Sequence, residues 1–267
     1  MARLKDLMNL SGRVACITGG GGHIGSAMAE GLAELGASIA LLDLDRAACE
    51  NAAGKIEQDF HVPTLPIVSD LADDKEVREV PRIILDRFQR LDILINCAAL
   101  VGTSQLQGWT VPLGQQRTDT WRLALDVNLT APFVLIQVSA GALAASGHGS
   151  VINIGSLYGV AGPDMRLYED TTMGNAAAYA ASKGGLLQLT RWLATVLAPS
   201  VRVNAISPGG IWRHQPQAFC DRYISRTPLQ RMGTEEDFVG AAAYLASDMS
   251  RYVTGQNLLV DGGFTVW

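Results

Sequence analysis

Charge is sparse in this chain, and its balance has the wrong sign for a polyanionic partner. Asp, Glu, Lys and Arg make up 18% of the 267 residues, the net charge is −5, and no basic block appears. Nothing is available to track a phosphate backbone or an anionic lipid surface, so neither nucleic acid nor a membrane is an expected partner. Long apolar runs are missing too. None reaches the ~18 residues of a membrane span, and Met1 to Leu10 has neither the apolar core nor the cleavage pattern of a signal peptide. Cysteine is limited to Cys16, Cys49, Cys97 and Cys220, with no Cys-x-x-Cys pair. That scatter reads as reduced, mostly buried thiols in a cytoplasmic protein. His23, His61, His148 and His214 show no metal-ligand spacing, and no His-Glu-x-x-His occurs, so no metal is expected. Repeats, low-complexity tracts and linker-like shifts are absent as well, which leaves residues 1–267 as a single domain.

What is present is apolar sequence and glycine: 48% of residues are hydrophobic and 28 are Gly, above the usual ~7%. Short apolar strands alternate with amphipathic helices, the pattern of a parallel sheet covered on both faces. Strands are predicted at Arg13–Thr18, Ser38–Leu42, Thr64–Val68, Leu91–Ile95, Ser150–Ile154, Val201–Ile206 and Asn257–Val260. One long helix is predicted from about Asp119 to Ala145. The fold class is α/β, a single doubly wound sheet of seven parallel strands. Such sheets bind ligands at the carboxyl ends of their strands. The irregular stretches 100–117 and 157–178 and a lid over 210–228 all fall on that edge.

Between the first strand and first helix stands Thr18-Gly-Gly-Gly-Gly-His-Ile-Gly25. Glycine permits the tight turn and lets backbone amides approach a pyrophosphate at a helix N-terminus. Asp43 ends the second strand 18 residues after Gly25, where a carboxylate accepts both ribose hydroxyls of NAD and repels the extra phosphate of NADP. No Gly-Lys-Ser/Thr follows the turn, which excludes a Walker-type loop. Farther on, Tyr179-Ala-Ala-Ser-Lys183 puts a phenol and an ammonium on one helix face. A free phenol has a pKa near 10. A cation beside it, or a positively charged nicotinamide ring, favours the phenolate, and lowering the pKa by ~3 units needs about 4 kcal/mol.

With these features together the chain resembles the short-chain dehydrogenase/reductase family over essentially its whole length. The motifs run in the family's order: the glycine turn at 18–25, Asp70-Leu71, Asn96-Cys-Ala-Ala99, Asn128, Ser156, Tyr179 with Lys183, Pro208-Gly209, and the C-terminal stretch from Thr254 to Gly263. The resemblance implies that Tyr179 is the general acid/base and that Lys183 lowers its pKa and holds the nicotinamide ribose. It implies that Ser156 holds the substrate oxygen and that Asn128 positions a water linking Lys183 to solvent. Cofactor contacts are implied from Gly19, Gly22, His23, Ile24, Gly25, Asp43, Asp70, Leu71, Asn96, Ala98, Pro208, Gly209 and Ile211, besides Tyr179 and Lys183. The C-terminal strand implies a subunit interface in a homotetramer or homodimer. His23 departs from the pattern, standing where the compact branch of the family usually has glycine, and its side chain is read as facing solvent. The Asn96-Cys-Ala-Ala segment is a second, milder departure.

Ser156 and Tyr179 are 23 residues apart, more than is usual in the family, and the extra residues resemble insertions in sugar-modifying members. Tyr158, Arg166, Tyr168 and Trp212 are therefore the candidate substrate residues, with Arg166 open to a sugar phosphate. Gln105, Trp109 and Gln115 are candidates to complete the wall. The expected activity is NAD-dependent interconversion of a secondary alcohol and a ketone on a sugar, polyol or sugar derivative. Alternatives are a 3-oxoacyl or other small-ketone reductase, a sugar-nucleotide epimerase or dehydratase with tightly bound NAD, and a non-catalytic NAD-binding protein. A serine hydrolase is set aside, because Gly-Ser156-Leu-Tyr-Gly lacks the Gly-x-Ser-x-Gly elbow.

Overall fold

All seven predicted strands form, and all pair in parallel. In the computed structural model, which describes residues 3–267, they are β1 (Val14–Thr18), β2 (Ser38–Asp43), β3 (Thr64–Val68), β4 (Ile93–Asn96), β5 (Gly149–Ile154), β6 (Val201–Pro208) and β7 (Asn257–Val260). Their order across the sheet is β3-β2-β1-β4-β5-β6-β7. The order reverses between β1 and β4, which opens a crevice at the carboxyl ends of those two strands. Side chains alternate across the sheet. Ala15, Ile17, Ile39, Leu41, Ile93 and Ile95 enter one core layer, and Val14, Cys16, Ala40, Leu42 and Leu94 enter the other. Each fully buried Leu or Ile contributes ~1.5–3 kcal/mol, so the two layers hold the sheet between its helices. Pro66 is tolerated in β3 because that strand is an edge and the missing N–H breaks no ladder.

The helices are α1 (Leu4–Met8), α2 (His23–Glu34), α3 (Arg46–Phe60), α4 (Asp74–Phe88), α5 (Thr118–Leu125), α6 (Ala131–Ala145), α7 (Ala177–Val196), α8 (Gln217–Arg226) and α9 (Val239–Ala246). Asp45 caps α3 by accepting from the Ala48 amide, and Asp73 caps α4 by accepting from Lys75. The expected long helix at 119–145 differs in one respect: α5 and α6 are joined by a π-helical turn, Asp126–Thr130, centred on Asn128. By length and composition Thr118–Ala145 is apolar enough to cross a membrane. Here it is a core helix, with Val134, Leu135, Ile136 and Leu143 in the second layer.

Two expected loops are more ordered than their composition suggested. The lid stretch contains α8, and residues 157–178 contain two 3-10 turns, Leu157–Gly159 and Met165–Tyr168. These pieces build a third apolar cluster above the sheet edge from Leu157, Leu167, Tyr168, Phe219, Tyr223, Met232 and Phe264.

Candidate active site

The carboxyl edge of the sheet carries a polar row. Thr18, Asn96 and Asn153 stand in register on β1, β4 and β5. Thr18 Oγ1 accepts from the amides of Cys97 and Ala98 at 3.0 and 3.1 Å. Asn96 Nδ2 donates to Asn153 Oδ1 at 2.8 Å, and Asn153 Nδ2 donates to Thr190 Oγ1 on α7 at 2.9 Å. Asn96 thus ties strands to each other and, through Asn153, to the helix bearing Tyr179. Ala98 sits against the glycine turn: a Cβ on Gly19, whose φ is +67°, would lie 3.0 Å from the Ala98 backbone.

The turn itself is closely packed. A Cβ on Gly25 would stand 2.1 Å from the Gly19 carbonyl oxygen, one on Gly20 2.6 Å from Leu41, and one on Gly21 2.9 Å from Ala48. Gly22 is the exception, meeting only Gly19 O at 3.2 Å. It is also the N-cap of α2 and offers no side-chain acceptor, so no side chain caps the first-turn amides at His23, Ile24 and Gly25. Asp43 closes the flank: Oδ2 accepts from Gly21 N–H at 3.0 Å and Oδ1 from Asp45 N–H at 3.1 Å. Asp70 accepts from the Ala72 amide at 2.8 Å, and Leu71 packs its side chain into the second core layer.

Across the crevice, Tyr179 and Lys183 occupy one face of α7, with the Lys183 ammonium 5.9 Å from the Tyr179 ring centroid. Lys183 is buried, and its Nζ donates to the Ile154 carbonyl at 2.7 Å. Ser156 is also buried and accepts from the Tyr158 amide at 3.1 Å, and its hydroxyl is near enough to the Tyr179 phenol to lower it. The turn after Ser156 comes so near α7 that a Cβ on Gly159 would lie 2.8 Å from the Lys183 backbone. Burial dominates the electrostatics. It raises the Tyr179 phenol, against a smaller lowering by the Ser156 hydroxyl, and lowers the Lys183 ammonium to about 8. The expected depression of the phenol by Lys183 is therefore not a property of the chain alone, because desolvation disfavours both charged forms. The Cys97 thiol, close enough to feel Lys183, is pushed up to about 12 by burial and is not a nucleophile.

The Asn128 side chain is fully engaged by the protein. Its Oδ1 accepts from Leu100 N–H at 2.7 Å, and its Nδ2 donates to Leu100 O at 3.0 Å and Ser182 Oγ at 3.1 Å. Ser182 in turn donates to the Tyr179 carbonyl at 2.8 Å. The amide braces the loop after β4 against α7, and both its N–H groups are spent there. The π turn is what places Asn128 at this crossing.

The candidate substrate residues divide. Tyr158 and Tyr168 pair through their hydroxyls at 2.7 Å, and burial raises both phenols, which keeps them neutral hydrogen-bonding groups. Arg166 is a correction: its Nη2 lies 2.8 Å from Asp164 and its side chain is 77% exposed, so it does not enter the site. Asp164 also pairs with Arg226, and Arg222 reaches the Glu169 carbonyl and Asp170, fastening residues 164–170 to α8. The loop's charges are consumed by the lid helix. Trp212 is half exposed and rests on His214 with ring centroids 4.0 Å apart. Trp109 is buried, donating to Val101 O at 2.8 Å, and belongs to the interior of its loop. Pro208 and Gly209 end β6, where Gly209 N–H donates to Val260 O at 2.9 Å, and Ile211 bridges to Gly233.

Comparison with known proteins matches this arrangement. The model of a family described as enoyl-(acyl carrier protein) reductase covers residues 21–265. A galactitol 2-dehydrogenase (L-tagatose-forming) of Cereibacter sphaeroides is 33% identical, over 98% of this chain and 99% of its own. A 3-oxoacyl-[acyl-carrier-protein] reductase of Escherichia coli is 30% identical, over 96% and 98%. A gluconate 5-dehydrogenase from Burkholderia cenocepacia, solved with NADP and tartrate, superposes with a TM-score of 0.86 at 32% identity, covering 99% of this chain and 100% of that one. The chain belongs to the short-chain dehydrogenase/reductase family. As a short-chain dehydrogenase/reductase it is an oxidoreductase that uses a nicotinamide cofactor on CH–OH groups of small molecules.

Within the short-chain dehydrogenase/reductase frame, sequence reasoning missed several groups that the site uses. Thr18, Asn153 and Thr190 have no local spacing that marks them as partners. They are found only once the strand register is known, although Asn153, a polar residue inside an otherwise apolar strand, was a visible signal. His23 is 73% exposed at its side chain, as expected, yet its Nδ1 lies 3.5 Å from Glu235, a contact with no sequence signature.

Proposed function

We propose that this chain is an NAD-dependent dehydrogenase/reductase that interconverts a secondary alcohol and a ketone on a polar, hydroxylated compound such as a sugar, polyol or sugar derivative. The observation that carries the reading is the meeting of Tyr179 and buried Lys183 on one face of α7 with buried Ser156, across the crevice from the glycine turn. The residues fit the cofactor. Gly19, Gly22, His23, Ile24 and Gly25 would take its pyrophosphate on backbone amides, and Asp43 its adenosine ribose. Asp70 and Leu71 would meet the adenine, with Asn96, Ala98, Pro208, Gly209 and Ile211 along the nicotinamide side. When bound, it supplies the hydride acceptor or donor and, when oxidised, a positive charge that favours a phenolate nearby.

The chain's own groups handle the proton. Tyr179 Oη gives it to the carbonyl oxygen in reduction and takes it from the alcohol in oxidation, in the manner of a positioned general acid/base. Ser156 Oγ donates to that same oxygen as negative charge develops on it. Lys183 keeps positive charge at the end of the pair, and Asn128 holds the loop after β4 and α7 in the register the pair requires. The neutral hydroxyls of Tyr158 and Tyr168 offer hydrogen bonds to a second hydroxyl of the substrate, which supports a polyhydroxylated compound over a uniformly apolar one. Leu258 and Leu259, exposed on the edge strand β7, support assembly into a homotetramer or homodimer. A single domain over 1–267 and a cytoplasmic location complete the proposal.

The test is absorbance of NADH in a panel of polyols, sugars, sugar acids and 3-oxoacyl thioesters. Turnover of polyhydroxylated substrates with NAD is expected; turnover confined to 3-oxoacyl thioesters would overturn the substrate reading. Activity without added cofactor, in protein carrying stoichiometric NAD, would point to an epimerase instead. NAD over NADP rests on Asp43, whose carboxylate would face the extra phosphate. Asp43→Ala is expected to lower the NAD/NADP preference in kcat/KM at least ~10-fold, the effect of removing ~1.4 kcal/mol of discrimination. A wild-type preference for NADP would contradict the role given to Asp43.

A further inference from the structure

One carboxylate joins the lid to the glycine turn. Glu235 opens the 3-10 turn Glu235–Phe238, and its Oε1 lies 2.7 Å from Arg213 Nη2 and 3.5 Å from His23 Nδ1. His23 is the first residue of α2, next to the uncapped amides of that helix. Arg213 stands at the root of the lid, where the Ile211–Gly233 bridge and the Trp212 N–H bond to Gly233 O run alongside the segment leading to Glu235. The fold thus delivers a guanidinium from β6 to the entrance of a turn built by β1 and α2.

The charge around that entrance is otherwise acidic. Glu30, Glu235 and Glu236 line the shallow cleft beside His23, with only Glu30 met there by a lysine, Lys55 at 2.7 Å, and Asp43 closes the other flank of the turn. A dinucleotide pyrophosphate brings two more negative charges into this field. Lys183 is spent deeper in the crevice, on the Ile154 carbonyl. Arg213 is suited to the missing role. It is about a quarter exposed, and of its donors Nη1 holds the Trp212 carbonyl at 2.8 Å while Nη2 faces Glu235. A guanidinium has five N–H donors, and its planar fork matches phosphate as well as carboxylate.

We propose that Arg213 is a ligand of the cofactor's pyrophosphate, held in waiting by Glu235, and that it exchanges carboxylate for phosphate when the lid settles over the dinucleotide. The assignment rests on the cofactor reading above and adds a side-chain cation to a site otherwise made of backbone amides. It also gives the departure at His23 a place: once Arg213 turns to the phosphate, the imidazole is the neighbour that Glu235 keeps.

The test is equilibrium binding, read by NADH fluorescence, with ADP-ribose and adenosine as competitors. Arg213→Gln is expected to weaken NADH and ADP-ribose about 10-fold or more, the loss of one charge-assisted contact, and to leave adenosine unchanged. Glu235→Gln, which frees the guanidinium, is expected to bind NADH as tightly as wild type or tighter. Wild-type affinity in Arg213→Gln overturns the assignment, as does an equal loss for adenosine. So does a Glu235→Gln variant that weakens NADH as much as Arg213→Gln, since the pair would then be a structural strap. A wild-type chain that binds neither NADH nor NADPH overturns the cofactor reading itself, and this assignment with it.

Discussion

Tyr179→Phe is expected to lower kcat by ~10²–10⁴-fold, the range ascribed to a positioned general acid/base, while NADH binds with an affinity close to wild type. The ring keeps its place on α7, so the fold is not at stake and the change removes one oxygen. The substrate oxygen then loses the group that exchanges its proton. The measurement is steady-state turnover beside NADH fluorescence titration. Turnover within about tenfold of wild type would sink the mechanism, because proton transfer would then run through another group. A wild-type chain that binds NADH but turns over nothing would instead favour the silent, non-catalytic alternative. The electrostatics explain why this tyrosine is inert without cofactor. Burial raises the phenol, which stays neutral, and lowers Lys183 only to about 8, which leaves that ammonium mostly charged at pH 7. A second positive charge in the crevice is what tips the phenol toward its anion.

Much of this was legible before any coordinates, and for identifiable reasons. Parallel strands buried on both faces are mostly apolar, so β1, β2 and β4 to β6 stood out as short runs bounded by turns, and the half-exposed edge strands β3 and β7 by their Leu, Ile and Val content. The glycine turn, Asp43 and the Tyr179–Lys183 spacing were readable because each obeys a local rule of turn geometry or helix periodicity. The groups that escaped notice obey long-range rules. Arg166 is open to a sugar phosphate by composition alone, but Asp164, which holds it, is itself fixed from a distance by Arg226 on α8. Residues 164–170 read as a polar stretch by composition, yet Leu167 and Tyr168 belong to an apolar cluster whose other members, among them Phe219 and Tyr223 of α8 and Phe264, are distant in sequence. Asn128 was placed in a regular helix, since nothing in the sequence announces a π turn. The general pattern is that chemistry carried by spacing can be read directly, whereas chemistry carried by tertiary pairing waits for the register of the sheet.

Gly25→Ala is expected to damage cofactor binding and stability together, and its two neighbours in the argument separate the causes. The added methyl would stand 2.1 Å from the Gly19 oxygen and 2.8 Å from the Gly19 carbonyl carbon. Both are backbone atoms of the turn, so no flexible side chain can swing aside, and α2 must lift away from β1. Overpacking of this kind costs ~1–3 kcal/mol, which for a chain of this size lowers Tm by roughly 2–10 °C. Lifting α2 also pulls its first-turn amides from the pyrophosphate, and NADH affinity is expected to fall ~100-fold or more, the loss of about two hydrogen bonds to charged oxygen. Gly22→Ala meets only Gly19 O at 3.2 Å, with φ at −85°. Its Tm should therefore stay within a few degrees of wild type while NADH binding drops, because that Cα borders the phosphate side of the turn. Gly54→Ala in α3 has nothing within 4 Å and should gain up to ~1 kcal/mol from helix propensity with NADH affinity unchanged. Calorimetry and NADH titration on the three variants give the check. If Gly25→Ala bound NADH like wild type, the contact between α2 and the turn would not be what fixes the phosphate amides, and the dinucleotide would have to be held elsewhere on the sheet edge.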